Sequence, residues 1–474
     1  MEKWKLTSRI KDIIDQSVKI PNATVGKPYT AKIDFNALNW KDLSYTGIES
    51  LEEYGLSYDS DTGEISGTPI KSGDFKLQFQ FRIKSEADNS ALNIKPLAFV
   101  VNPDPKSLWK YIPSDEGKDE AWKQANYWKP DTAEDFQPLL DKHVVVASRR
   151  GRSHANVGSF RDDDFAFKEI TGSGWGVVAV SDGAGSSKFS RKGSQLACNT
   201  IIEYFEGKLT PELSAEFEAL AKNYQKESAG KDLTSEAMPV VEPVVETTTG
   251  SPPAGEPAPD STVTPPTDKT EVKEPVTETA GQKINKFIYN LMGNAARTVY
   301  KTLEEFGKAN NITLKELHST LVFAAIKRYD FGYVILTFGV GDCPIGLMNK
   351  AGTEVKLMNW LDVGEFGGGT RFITMADIFT SDKFATRLGF KVIDDFSYLF
   401  LMTDGIYDPK FVVEANLEKL EKWKEFVADL QGSNEDKAKV NFDPKNKDMA
   451  KELGTWMDFW SPGNHDDRTL AIVF

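Results

Sequence analysis

Cysteine is nearly absent from these 474 residues: Cys198 and Cys343 stand far apart, each inside an otherwise apolar segment. That spacing excludes a disulfide framework and points to two buried free thiols in a reducing compartment. Histidine is almost as scarce, with four residues (His143, His154, His318 and His465), and without paired cysteines this argues against a structural zinc site. Basic residues are outnumbered, 57 against 71 acidic ones, giving a formal net charge of -14. A nucleic-acid surface needs clustered Lys and Arg, so no nucleic-acid partner is expected. No apolar run reaches membrane-spanning length, and the opening MEKWKLTSRIKD lacks the apolar core of an export signal. The expectation is a protein of the cytoplasm with no membrane partner.

The length exceeds one ordinary domain, and the texture changes along it. Residues 1–19 read as a lead-in. Over residues 20–102 short alternating runs are broken by turn residues. In FKLQFQFRI (residues 75–83) Phe75, Leu77, Phe79, Phe81 and Ile83 share one face and Lys76, Gln78, Gln80 and Arg82 the other, which is a half-buried antiparallel strand. Residues 103–141 form a connector marked by Trp109, Trp122 and Trp128, aromatic enough to pack onto a folded neighbour. The remainder, residues 142–474, is interrupted at 226–280 by a Pro/Thr/Glu-rich stretch whose apolar content is too low to offset the entropy of ordering it, so disorder is expected there. Beyond it Ile284, Phe287, Ile288, Leu291, Ala295, Val299, Leu303 and Phe306 recur at helical spacing. Strand signals follow at residues 319–327, 333–339, 345–348, 398–402 and 468–474, with a Lys/Glu-rich helix at 412–431. This order of elements argues for an α+β sandwich.

Four acidic points carry the chemistry. VVAVSDGAGSSKFSRKGS (residues 177–194) is a β-branched run that stops at Asp182-Gly183 before a helix-like segment from Ser190. Upstream lies Arg161-Asp162-Asp163-Asp164; downstream come Thr403-Asp404-Gly405, again after an apolar strand, and His465-Asp466-Asp467. One Asp-Gly after a strand is ordinarily only a turn. Four acidic points in this order suit hard divalent cations, which choose carboxylates, a backbone carbonyl and water. Two such ions meet the needs of phosphate-ester hydrolysis, charge neutralisation and a strong nucleophile.

Two resemblances sharpen this reading. GLSYDSDTGEISGTPIKSGDFKLQF (residues 55–79), through Gly55-Leu56, Asp59, Thr62-Gly63, Ile65-Ser66-Gly67-Thr68-Pro69 and Gly73, resembles bacterial immunoglobulin-like, cadherin-like modules, which implies a small all-β sandwich that docks partners or restrains access. Gly151-Arg152-Ser153-His154, Arg161-Asp162-Asp163, Ala179-Val180-Ser181-Asp182-Gly183, Val340-Gly341-Asp342, residues 365–372, Met402-Thr403-Asp404-Gly405 and Asp466-Asp467-Arg468-Thr469 together resemble the metal-dependent protein phosphatases of the 2C type, in particular a bacterial subgroup. The resemblance implies a four-layer α-β-β-α sandwich of two antiparallel sheets and hydrolysis of phosphoserine or phosphothreonine in proteins by water activated between two Mn²⁺ or Mg²⁺ ions. Asp182 would bridge the ions and the Gly183 carbonyl would add a ligand. Asp404 and Asp466 would hold one ion and Asp162 the other, while Asp163 would orient water. The three adjacent aspartates fit the family's acidic pair in two registers; the first two are preferred. Asp342 stands where the resemblance implies either a third metal or a structural carboxylate. Many members carry a phosphate-clamping arginine where His154 falls, so Arg152, Arg161 and His154 remain open substitutes. Ala184 replaces a histidine of other members, and a weakly active or inactive phosphatase-fold module is the second reading. Residues 364–370 are expected to form either a mobile lid or an ordinary surface loop.

Overall fold

Two compact units, residues 1–110 and 111–474, divide the chain in a computed structural model that describes residues 4–5, 8–10, 12–13, 19–35, 42–114, 128–228, 278–362, 369–380 and 382–474. The N-terminal unit is built from β1 (Ala23–Thr24), β2 (Tyr29–Lys32), β3 (Leu43–Glu49), β4 (Leu56–Asp59), β5 (Glu64–Gly67), β6 (Gly73–Ile83) and β7 (Asn93–Asn102). They form a four-stranded sheet, β1-β7-β6-β3, and a three-stranded sheet, β2-β5-β4. Along β6 the alternation works as its sequence demands: Leu77, Phe79, Phe81 and Ile83 are buried, in one core with Ile33, Leu56 and Ile65. Ile10 from the lead-in joins that core. Between β4 and β5 the chain reverses with Gly63 at φ +74°, where a side chain would be strained.

The second unit has eleven strands: β8 (Thr132–Leu139), β9 (Lys142–Arg149), β10 (Asp164–Ile170), β11 (Trp175–Ser181), β12 (Leu321–Tyr329), β13 (Gly332–Val340), β14 (Ile345–Asn349), β15 (Val355–Leu357), β16 (Leu388–Ile393), β17 (Phe396–Met402) and β18 (Arg468–Val473) among the described residues. Its helices are α1 (Arg152–Val157), α2 (Ser190–Lys208), α3 (Pro211–Ser228), α4 (Ala280–Asn310), α5 (Asp404–Phe411), α6 (Leu420–Leu430) and α7 (Met449–Trp456). Two sheets result, β10-β11-β12-β13-β16 and β15-β14-β17-β18-β9-β8, antiparallel throughout.

Strand periodicity then dictates four layers. Val178 and Val180 of β11 meet Val144 and Val146 of β9 between the sheets. The intervening Trp175, Val177 and Ala179 face Ile201, Phe205, Ile288 and Ala295 of α2 and α4 on one outer side. On the other, Val145, Ala147, Leu470 and Ile472 pack against Trp423, Phe426 and Trp456 of α6 and α7. Strands buried on both faces read as unbroken apolar runs, as β9 and β11 do. Helix α4 buries the stripe its spacing foretells, Ile284, Ile288, Leu291, Ala295, Val299 and Leu303, and starts in a capping box between Thr279 and Gln282.

Several boundaries differ from the sequence expectation. Residues 132–139 of the expected connector are the edge strand β8, where Pro138 is tolerated because an edge needs no further donor on its open side. The helix expected at 412–431 begins only at Leu420, since Val412 takes φ +69° and ends α5. At the margins of the stretch expected to be disordered, residues 226–228 and 280 are helical, while 229–277 lie outside the described residues. Trp122 and residues 364–368 of the expected lid also lie outside them.

Candidate metal centre

One end of the two-sheet stack gathers strand termini from both sheets. Asp182 follows β11, Asp162 and Asp163 precede Asp164 at the start of β10, Asp404 follows β17 as the first residue of α5, and Asp466 and Asp467 precede β18. His154 lies on α1 just after β9, and Asp342 just after β13. Antiparallel pairing explains the convergence: Asp164 is in register with Ser181, so Asp163 and Asp182 fall side by side, and Arg149 is in register with Arg468, so the loops after β9 and before β18 adjoin. Glycines let these loops touch. A Cβ on Gly183 would lie 2.6 Å from the Asp162 carbonyl, and one on Gly405 would collide with the carbonyl of Asp467.

Asp163 is fully buried. Its Oδ2 accepts from Thr403 Oγ1 (2.9 Å) and Thr469 Oγ1 (2.8 Å), and its other oxygen, buried, has no hydrogen-bond partner in the protein. Single oxygens of Asp404 and Asp342 are in the same condition. Asp342 accepts from Thr370 Oγ1 at 2.8 Å through its second oxygen. The Asp182 amide donates to Thr320 Oγ1 (2.9 Å), and its carbonyl accepts from the Thr320 amide (2.8 Å). Gly183 and Ser319 form an isolated antiparallel bridge beside them, which the Ala184 amide extends by donating to the His318 carbonyl (3.0 Å).

Crowded carboxylates resist ionisation. Burial, then Asp404 and Asp163, push the Asp182 carboxyl well above its usual range; burial, then Asp342, Asp466 and Asp163, do the same to Asp404. Asp162 and Asp163 are pushed up to about 7, burial again leading and Asp467 adding repulsion to both. Asp466, whose side chain is 44% exposed at the mouth, is raised by burial and by Asp467. Asp467 behaves oppositely. Burial works against its charge, but His154 and the amides of Gly151 (2.6 Å) and Asp162 hold its carboxyl below the usual range. His154 would be lowered by burial; Asp467, then Asp162 and Asp466, overcome this and push it up to about 10.

The basic candidates separate. Arg152 pairs with Asp458 at 2.8 Å and donates to the Phe459 carbonyl, facing away from the carboxylates. Arg161 is 2% exposed, and its guanidinium is occupied by the carbonyls of Pro130 (3.1 Å) and Asp163 (2.8 Å) and by Ser148 Oγ. A phosphate clamp drawn from Arg161 would have to break these buried bonds. His154 alone of the three faces the cluster. Asp164 turns away, its carboxylate 3.0 Å from Lys129 Nζ.

Lys129 is the buried cation behind the site that the sequence did not announce. Almost wholly buried, it donates to the Asp163 carbonyl (2.8 Å) and Ser194 Oγ (3.0 Å), pinning the acidic loop from behind. It lies in the expected connector, where no pattern separates it from a solvated lysine. Asp467 belongs to the C-terminal motif, but its part in the site depends on amides that only the fold brings near.

The protein phosphatase 2C profile matches residues 150–458, nearly two thirds of the chain. The chain belongs to the protein phosphatase 2C family. The matched stretch stops short of Asp466, which the fold nevertheless brings to the other carboxylates. Among solved structures it is similar to the serine/threonine phosphatase Stp1 from Staphylococcus aureus, at 12% identity, covering 73% of this chain and 98% of that one with a TM-score of 0.34. A serine/threonine phosphatase from S. agalactiae is similar at 13% identity, with 72% and 99% covered and a TM-score of 0.33. The catalytic domain of PstP, solved in complex with two manganese ions, is similar at 11% identity, with 70% and 96% covered and a TM-score of 0.33. No curated protein matches the sequence significantly. Among the described residues no helix is long and apolar enough to cross a membrane.

Proposed function

We propose that this chain hydrolyses phosphoserine and phosphothreonine in proteins with the help of two Mn²⁺ or Mg²⁺ ions, the second unit, residues 111–474, being the catalytic one. The observation that carries the reading is the meeting of Asp163, Asp182, Asp404 and Asp466 at one end of the sheets, with buried carboxylate oxygens left unpartnered and their ionisation opposed by one another. Such a donor set fits a pair of divalent cations, whose charge would relieve the mutual repulsion of the carboxylates. Asp162, Asp182, Asp404, Asp466 and the Gly183 carbonyl would hold the ions. When bound, the ions supply charge neutralisation for the phosphoryl group and a water acidic enough to attack phosphorus at neutral pH. Asp163, with one oxygen fixed by two threonines, keeps the other to orient that water. Asp342, with one free buried oxygen beside Asp404, is assigned to a third ion. His154 is the basic group at the site.

The N-terminal unit, residues 20–102, is assigned as an immunoglobulin-like docking or regulatory module, a reading supported by its two-sheet all-β build. The cytoplasm is assigned as its compartment on two unbridged, buried cysteines. A specific observation favours the second reading of weak turnover: neither Arg152 nor Arg161 presents its guanidinium to the carboxylates. Hydrolysis of a phosphothreonine peptide and of p-nitrophenyl phosphate with Mn²⁺, and its loss with EDTA, tests the proposal. Metal uptake without turnover would favour the inactive module, and no hydrolysis with or without metal would remove the enzyme reading.

A further inference from the structure

His318 takes no part in the acidic cluster itself, yet the sheet carries it to the rim of that cluster. β11 and β12 pair Val180 with Val322, and their ladder continues past the strand ends. The Thr320 amide donates to the Asp182 carbonyl (2.8 Å), Gly183 bridges Ser319, and the Ala184 amide donates to the His318 carbonyl (3.0 Å). This register sets Asp182 opposite Thr320 and Ala184 opposite His318. Side chains alternate along a strand, so the row that starts with Val180 and Val322 between the sheets continues on the same face as Asp182 and Thr320, then Ala184 and His318. The last pair lies two residues, about 7 Å, nearer the open end of the sheets than Asp182. Ala184 offers only a methyl group there, which leaves His318 as the functional side chain of that pair. The imidazole is held from one side. Its ring stacks on Phe372 with centroids 4.8 Å and planes 16° apart, and Nδ1 lies 2.5 Å from Thr374 Oγ1. Both partners belong to a segment fastened along the same rim, where Thr370 Oγ1 donates to Asp342 (2.8 Å) and the Ile373 amide donates to the Ser319 carbonyl (3.0 Å).

The tautomer follows from Thr374. Its hydroxyl is buried and has no other acceptor among the described residues, so its hydrogen is satisfied only by donating to Nδ1. The neutral ring then carries its own hydrogen on Nε2, which makes no hydrogen bond among the described residues. Burial, then Lys315, hold His318 below its ordinary value, in keeping with a neutral ring. Resting on the phosphatase reading above, we propose that His318 Nε2–H donates a hydrogen bond to the ester oxygen of the phosphoserine or phosphothreonine, with Thr374 as the residue that positions the ring. A phosphopeptide reaches the carboxylates from the open end of the sheets, so a phosphoryl group seated over Asp182 keeps its ester oxygen on the outer side, where His318 stands. As water attacks, the phosphorus–oxygen bond breaks and its electron pair passes to the serine or threonine oxygen. A donor fixed beforehand at the atom where charge develops lowers the barrier. The departing oxygen takes its proton from solvent, and the imidazole leaves the cycle as it entered, neutral.

The test compares two esters on the full chain with Mn²⁺, a phosphothreonine peptide with a poor leaving group and p-nitrophenyl phosphate with a good one. His318→Phe, which keeps a ring against Phe372, should lower kcat/KM about 10²-fold or more on the peptide and no more than about tenfold on the aryl ester. Thr374→Val should show the same selectivity to a smaller degree, and Thr374→Ser, which restores the hydroxyl, should recover it. Mn²⁺ stoichiometry is read alongside; if His318→Phe fails to bind the metal, the Thr374 pair decides alone. Equal losses on the two esters would assign these residues to the fold or to binding of the phosphoryl group and overturn the inference, as would an unchanged peptide rate. Hydrolysis of both esters by the wild-type chain leaves the phosphatase reading standing in either case. Hydrolysis of neither would remove that reading and the inference with it.

Discussion

Asp59 closes β4 in the N-terminal unit much as Asp182 follows β11 in the C-terminal one, each a short step ahead of a glycine at a change of chain direction. Asp59 Oδ1 accepts from the amides of Asp61 (2.8 Å) and Thr62 (3.0 Å), and these bonds hold its exposed carboxyl below the usual range. Asp182 is crowded by Asp404 and Asp163, and with burial leading, its carboxyl is driven the opposite way. An aspartate at a strand end thus serves two purposes. Where turn amides satisfy the carboxylate, it is a device of the backbone; where other carboxylates surround it, a proton or a cation is needed to offset their charge.

The largest way to break the comparison is to neutralise each aspartate. Asp182→Asn should lower phosphopeptide turnover with Mn²⁺ by about 10³-fold or more, the several kcal/mol that metal charge supplies. Asp59→Asn should stay within about twofold. Equal losses in a steady-state assay would erase the distinction.

Acidity provides a second probe. Asp162 and Asp163 have folded-state values of about 7, above the ordinary carboxylate value of about 4, so their contribution to stability is fully present below about 4 and is lost as pH rises through about 7. The metal-free C-terminal unit should therefore melt at a lower temperature at about pH 8 than at about pH 5, and Mn²⁺ should reverse the deficit at the higher pH. Calorimetry with EDTA and then with Mn²⁺ checks both signs. A metal-free melting temperature independent of pH would show that these carboxyls are not crowded.

A smaller effect is expected behind the site. Lys129→Met should reduce Mn²⁺ affinity by about 10–100-fold, since Lys129 fixes the carbonyl of Asp163 and the carboxylate of Asp164. Lys129→Arg should recover part of it; isothermal titration reads both. The smallest effect belongs to Arg152→Ala, whose partner Asp458 is 54% exposed, and turnover should change by no more than about threefold.

The α+β build was legible in the sequence because strand and helix periodicities are local, while its four layers came with the family resemblance. The β-branched run from Val177 that stops at Asp182 announces a strand, and the stripe of α4 announces its buried side. The acidic points were legible as residue types at strand ends. Which basic group faces them was not, because Arg152, Arg161 and His154 differ only in what the loop before β18 and the segment around Pro130 present to them. Lys129 and Asp467 escaped for the same reason: their partners lie far along the chain, 34 positions from Lys129 to Asp163 and 313 from His154 to Asp467.

Counting bound Mn²⁺ by equilibrium dialysis, with the wild-type chain beside Asp182→Asn, tests most directly whether distant aspartates form one centre. The account predicts at least two ions per wild-type chain and a loss of tight binding in the variant. No bound metal in the wild type, or the same stoichiometry and affinity in both, would contradict it.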